Sequence, residues 1–537
     1  MAPILLVALP FVLLVLRECL RRPDYAYAGD EALIELDVRR VLHGDMPLGA
    51  YSRFGWRHPG SSWYSLLALP YRVLGGHGWS LTAAVVLLSG LAAVGVVVVA
   101  RRLGGPVPGV LAGLLILLLA RQLDVALFRL PWNPVAVVLP AALFLLLAVA
   151  WLLGHATAAG WTLVLGSVLV QTHVGTGVVV VAVTAVAAAV RGTAAALELR
   201  TRRGSPASGP STPNQPTPNQ PKFSQAAARR RRLRRALGFA GLLGLIWLGP
   251  VLQQLTTAPG NLGVLGLFAA KNPGRLSWSV SAGYLSSPLA VITGRPLPLG
   301  SVLPHASASL ALAAALAGIV LLGLGRLLAS RVAMAVALVF LTALVAAVQT
   351  VRQNVGPEYG YLTLWMTVLP VVLVLGYVLL VSDVVASRGM LDLLRSRRVP
   401  SVAWVAVSVA GLVLVLTAPP ATVFGAKPAG PQRRLNQLAL AAVGREHGLV
   451  LIRDDGERRW PQAAGIVLAL RRAGVSAKVP RAAAVLFSAP YVSDAAADGA
   501  PAVTLQLLPV PGPALGAGSD AGCVLGGMPG TCLRLLR

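Results

Sequence analysis

Long apolar runs separated by short polar loops occupy most of the chain up to residue 418. The runs lie near 2–17, 79–100, 107–123, 134–153, 160–173, 175–191, 237–256, 306–326, 332–350, 362–382 and 401–418. Each approaches the length a helix needs to cross the hydrocarbon core at about 1.5 Å per residue, and together they predict about eleven spans. Two shorter elements follow the first run. From Asp30 to Arg40 the spacing suits a helix, with Glu31 and Glu35 one turn apart and Leu33, Leu36 and Val38 as apolar contacts; such a helix is expected to lie along the membrane surface. "HPGSSWYSLLALPYRVLGG" reads as a second interfacial segment, too short and too interrupted by Pro to span. Beyond residue 419 the pattern changes. "GLVLIRDDGERRWPQAAGIVLALRRAGVSAKV" reads strand, loop, helix, strand, and "AAAVLFSAP" and "AVTLQLLPV" are further strand candidates. The expected fold is therefore mainly α, a polytopic membrane helix bundle over 1–418, with a small extracytoplasmic α/β domain over 419–537.

Composition sharpens this picture. Hydrophobic residues make up 56% of the chain and charged residues 12%, which excludes the ordinary soluble classes. A net charge of +27 suggests nucleic acid until its distribution is read. Residues 191–235 hold eleven Arg/Lys and one acid, and other basic residues flank span ends: Arg101, Arg102, Arg326, Arg331, Arg388, Arg395, Arg397 and Arg398. This is the positive-inside pattern, and a basic run without interleaved aromatics argues against a nucleic-acid partner. The first run lacks a small-residue cleavage site after it and is expected to be a retained span. With the N-terminus inside, every basic cluster falls in the cytoplasm, and the loops after spans one, three, seven and nine fall outside with the tail. The Pro/Ser/Gln-rich basic linker 193–235 is expected to be cytoplasmic and disordered. Cys523 and Cys532 flank a Gly/Pro loop and are expected to form a disulfide, which would persist outside the cytoplasm, leaving Cys19 over.

The unusual stretch is "YAGDEALIELDVRRVLHGDMPLGAYSRFGWRHPG", residues 27–60, which places Asp30, Glu31, Glu35 and Asp37 beside the first span. Acids are costly in lipid and need a reason. Asp30-Glu31 after the first span, Gly44-Asp45 about one helix later, and His58-Pro59 before an aromatic-rich surface helix resemble the first outer loop of the GT-C superfamily of membrane glycosyltransferases, in the protein O-mannosyltransferase and aminoarabinose-transferase branch. The resemblance covers residues 1–120. It implies an inverting transferase that takes a sugar from a polyprenyl-phosphate donor and passes it to a cell-envelope glycan, lipid or protein on the extracytoplasmic face. It also implies that Asp30 acts as the base, with Glu31 orienting or sharing that role, and it places His58 near the donor. A carboxylate suits proton removal from an attacking hydroxyl, and a lipid-phosphate leaving group needs cationic neighbours. Read from the residues alone, Asp30 is an ordinary N-cap, since "GDEA" opens a helix with acids in its first turn; that reading is compatible with catalysis. Glu35 and Asp37 are expected to be solvated or paired with Arg39 and Arg40.

Other polar residues join the candidate site. Lys271, Arg275 and Arg352 suit a lipid phosphate, or are interfacial anchors. Asp124 is a second acid or the partner of Arg121 or Arg129. Trp132 and Asn133 can line a sugar site, or mark span entry through a Trp belt. His173, in "QTHVG", breaks an apolar run and marks either a cavity or an interhelical hydrogen bond. Tyr359 lies on the same face. The seven His are scattered without paired ligand spacing, so no metal site is read; a divalent cation remains open. No Gly-rich loop calls for a nucleotide. The rival readings are a transporter or flippase of lipid-linked sugars, and a non-catalytic envelope scaffold.

Overall fold

The structure, a computed structural model, describes residues 2–46, 48–204, 222–272, 274–387, 409, 429–444, 448–454, 459–509, 522–524 and 531–536. Eight of its helices are long and apolar enough to cross a membrane, and the chain is a multi-pass membrane protein. In chain order, α1 (Ala2–Arg21) leads to two short helices, α2 (Gly29–Leu42) and α3 (Ser62–Val73). The bundle then runs through α4 (Gly78–Gly104), α5 (Pro106–Gln122), α6 (Asn133–Ala136), α7 (Val138–Leu152), α8 (Ala156–Thr172) and α9 (Gly177–Gly204). After α10 (Lys222–Thr256) come the short helices α11 (Asn261–Lys271), α12 (Trp278–Tyr284) and α13 (Ser286–Ala290). Helices α14 (Ser309–Leu327), α15 (Arg331–Gln353) and α16 (Leu369–Ser387) complete the bundle.

Ten of the eleven expected spans coincide with helices; α5 and α8 are the short ones, at 17 residues each. The eleventh, 401–418, lies outside the described residues except for Val409. The basic segment 193–235, expected to be disordered, is helical at both ends, because α9 continues to Gly204 and α10 begins at Lys222. Ala-rich and Arg-rich sequence has high helix propensity and extends each span past the bilayer; residues 205–221 lie outside the described residues. One core unites the bundle, with Phe144, Phe340 and Trp365 almost wholly buried at its centre.

The tail forms a five-stranded sheet of order β2-β1-β3-β5-β4. Strands β1 (Val450–Asp454), β2 (Ala477–Lys478) and β3 (Val503–Pro509) pair in parallel, while β4 (Gly522–Val524) and β5 (Thr531–Leu536) add antiparallel. Helices α17 (Ala429–Val443) and α18 (Trp460–Arg472) pack together beside the sheet. The register sets Cys523 opposite Cys532; Cys532 is disulfide-bonded and Cys19 is a free thiol. "AAAVLFSAP" is not a strand: it makes the 3-10 turn Arg481–Ala483 and a loop between Pro480 and Pro490. Val485 is exposed, while Leu486 and Phe487, the latter 1% exposed, join the core that the tail shares with α2.

That contact revises the expected surface helix. Helix α2 is sandwiched between α3 and α18, with Ile34, Leu36 and Val38 sharing one core with Ile466, Leu470 and Tyr491 of the tail. Glu35, expected to be solvated, is fully buried and pairs with Arg472 at 2.5 Å while accepting from the Tyr71 hydroxyl at 3.0 Å. Helix α3 is amphipathic. Trp63, Tyr64, Leu67 and Tyr71 face inward, while Leu66, Leu69 and Val73 are exposed.

Candidate active site

The cavity forms where the loops after α1, α5, α10 and α15 meet at the end of the bundle that carries the tail. Its volume is about 470 Å³, and it is lined by residues of all four loops, by the α8–α9 turn and by Leu486 of the tail. Helix α2 brings the acids. Gly29 adopts φ +57° with the ring of Trp460 and Pro461 within 4 Å of where a Cβ would stand, so the turn into α2 requires glycine. The N-cap is Ala28, without a side-chain cap hydrogen bond, and Asp30 lies in the first turn instead. Asp30 is therefore not the cap, and its carboxylate acts electrostatically on the Tyr51 hydroxyl in the cavity wall. Asp30, Leu33, Ile34 and Asp37 share the cavity face because residues three and four apart stack on one side of a helix.

A small hairpin supplies the cations. Ser52 N–H donates to Trp56 O and His58 N–H to Ala50 O at 2.9 Å each, around a turn at Gly55 with φ +82°. This arrangement presents Tyr51, Arg53, Arg57 and His58 to the cavity. The backbone of Arg57 is held from both sides by Asn261, whose Oδ1 accepts its N–H at 2.8 Å and whose Nδ2 donates to its C=O at 2.9 Å. Its guanidinium donates to the carbonyls of Leu486 and Phe487 at 3.2 and 2.7 Å. Arg53 donates to Val355 O at 2.8 Å and stands over Tyr359, which stacks on Tyr361. Tyr361 lies within the electrostatic reach of both Arg53 and Asp30.

Burial sets the protonation of the other groups. It pushes the Asp37 carboxyl up, against the pull of Arg57, a Ser488 hydrogen bond and Arg40 at 3.3 Å. It pushes His58 well below its usual range and His173 down to about 4, so both rings are neutral near pH 7. The Nδ1 of His58 accepts the Val174 N–H at 3.0 Å and its Nε2 meets the Asn133 carboxamide nitrogen at 3.0 Å. His58 thus lines the cavity as an uncharged clamp and brings no cation to a phosphate. His173 lies 5.3 Å from it, ring centre to ring centre, and both of its buried ring nitrogens lack a hydrogen-bond partner among the described residues.

Of the residues singled out in the sequence, Asp30, His58, His173, Trp132 and Asn133 line the cavity, and Glu31, Asp124, Lys271, Arg275, Arg352 and Tyr359 do not. Asp124 accepts from Ala126 N–H at 2.9 Å and closes a local turn. Lys271 is exposed. Arg275 donates to Asn272, and Arg352 donates to Leu276 O and Gln349 and covers the Trp278 ring at 4.4 Å, so it ties the α10–α14 segment to α15. Arg53, Arg57, Tyr51 and Asp37 were not singled out as site residues. The polar–aromatic alternation around "FG" in 51–57 was the available signal.

Glu358, buried between α15 and α16, accepts from Asn354 at 2.7 Å, and burial raises its pKa from 4.5 to about 7. A carboxyl raised in this way favours the fold when protonated, and its contribution is lost as pH rises from 4.5 through about 7. Glu358→Gln mimics the protonated acid. In thermal unfolding it should match the wild type at pH 5 and exceed it at pH 8 by on the order of 3 kcal/mol. Equal stability at both values would remove the burial effect.

No family model and no curated protein matches the chain. A solved structure, that of ArnT from Cupriavidus metallidurans bound to undecaprenyl phosphate, is similar to it over 98% of this chain and 97% of that one, at 14% identity and a TM-score of 0.44.

Proposed function

We propose that the chain is an integral-membrane glycosyltransferase of GT-C type, which moves a sugar from a polyprenyl-phosphate donor to a cell-envelope acceptor on the extracytoplasmic face with inversion. The observation that carries this reading is the shared cavity. Asp30 and two guanidiniums, Arg53 and Arg57, line one space at the membrane end of the bundle. The acceptor hydroxyl attacks the anomeric carbon while Asp30 takes its proton. The bond from that carbon to the phosphate oxygen breaks, and the polyprenyl phosphate leaves with the electron pair. Arg53 and Arg57 replace the previously expected cations as the groups that receive that charge. Tyr361 and Trp132 offer ring faces to the sugar, and the two open nitrogens of His173 suit its hydroxyls.

Sidedness rests on two supports. The opposite end of the bundle carries Arg101, Arg102, Arg326 and Arg331, as a cytoplasmic face does. The disulfide at Cys532 suits an oxidising compartment.

The test is a proteoliposome assay with the full chain and radiolabelled polyprenyl-phosphate sugars. Transfer to envelope acceptors should occur, and Arg57→Gln should raise the KM for the donor by about tenfold or more, as loss of a charged hydrogen-bond donor does. Sugar that crosses the bilayer without ever being transferred would establish the flippase instead.

A further inference from the structure

A second cavity lies behind α2, on the side away from Asp30. Its volume is about 880 Å³, and it opens between the end of α1, the loop after α3 and the start of α4. Three guanidiniums line it: Arg22, Arg39 and Arg472. Arg472 is committed to Glu35 at 2.5 Å, and the acid in the lining, Asp24, is committed to Arg433 at 3.1 Å. Arg22 and Arg39 have no carboxylate within ion-pair distance among the described residues. Arg22 covers the Trp79 ring at 5.6 Å and donates to Cys19 O at 3.3 Å, while Arg39 reaches the Tyr71 hydroxyl at 3.4 Å. Three guanidiniums thus share the lining with one carboxylate, Asp24, and neither Arg22 nor Arg39 is paired with it.

Exposed aliphatic side chains stand on the elements around the cavity, and one of them, Val73, lines it. Leu20, Leu69 and Val73 are 83%, 71% and 74% exposed, on the elements that form the cavity mouth. They stand at the end of α1, a helix long and apolar enough to span, and on α3, and Trp79 lines the same cavity. Guanidiniums without a paired carboxylate, beside exposed aliphatic side chains, match the two parts of an anionic phospholipid, a phosphodiester and its acyl chains. We propose that this cavity binds the headgroup of an anionic phospholipid, with Arg22 and Arg39 on the phosphate and Leu20, Leu69 and Val73 against the acyl chains. The occupant then buttresses α2 from behind: Arg39 contacts Tyr71, Tyr71 holds Glu35, and Glu35 holds the tail through Arg472. The site is separate from the transfer chemistry and does not depend on it.

The test uses the full chain in detergent, titrated with phosphatidylglycerol or phosphatidylcholine and read by native mass spectrometry. One phosphatidylglycerol should be retained preferentially. Arg22→Gln with Arg39→Gln should lower its affinity at least about tenfold, given the strength of two basic contacts at a lipid surface. Arg102→Gln, at the other end of α4, should leave it unchanged. If the double variant does not purify, Arg22→Gln alone, on an exposed side chain, must lower the affinity several-fold. Equal affinity in wild type and variants, or phosphatidylcholine held as tightly as phosphatidylglycerol, overturns the proposal. Millimolar inorganic phosphate displacing the lipid completely would make this a free-phosphate site and overturn the lipid assignment.

Discussion

Asp30→Asn should reduce sugar transfer by about a hundredfold or more while leaving the fold intact. The amide preserves the size of the side chain and its place in the cavity wall. Since Ala28 rather than Asp30 occupies the N-cap, no cap is lost. What disappears is the basic oxygen to which the proposed mechanism gives the acceptor proton. Donor affinity should change little, because Arg53 and Arg57 are untouched, so the loss should fall on kcat. Asp124→Asn serves as the comparison, because that carboxylate closes a local turn outside the cavity; it should retain most of the activity. Full transfer by Asp30→Asn would shift the base to Asp37, the other carboxylate in the lining. A matched fall in activity and protein yield would show that Asp30 acts on the fold instead.

The second large effect belongs to the Glu35–Arg472 pair. Glu35 is fully buried and Arg472 donates to it from both Nε, at 2.8 Å, and Nη2, at 2.5 Å. Arg472→Met should destabilise the docked tail by about 3–5 kcal/mol, because it strands a carboxylate that water cannot reach. Glu35→Gln should cost less, since the amide still accepts from Tyr71 and leaves Arg472 partly solvated. The double variant Glu35→Gln with Arg472→Met should recover most of the loss, as replacement of a buried ion pair by neutral groups often does. Thermal unfolding of the three variants, with limited proteolysis of the tail, measures this. Additive losses in the double variant would mean that the two side chains are not coupled. The same substitutions should lower activity, because α2 carries both Glu35 and Asp30 and its outer face is held by α18.

The hydropathy of the chain alone determined the bundle. A helix in lipid must satisfy every backbone group internally and bury about twenty apolar residues, so runs such as 79–100 and 332–350 had few alternatives. The β1–α18–β2 unit was legible because its periodicity switches from strand to helix at Trp460 with Pro461 at the first turn. Asp30 and His173 stood out because polar groups are rare in such a chain. Tertiary structure alone decided which charges face the cavity. Lys271, Arg275 and Arg352 were chosen by sequence position, but a loop cation has no periodicity to tell where it points. Arg53 and Arg57 reach the cavity because a hairpin closes around Gly55 and because Asn261 and the carbonyls of Leu486 and Phe487 grip Arg57 across more than two hundred residues of chain. Glu35 and Asp30 lie little more than one turn apart on one helix. Only the arrival of α18 on one side buries the first in an ion pair and leaves the second on the cavity wall, since burial is set by what packs against a face and not by the sequence of that face.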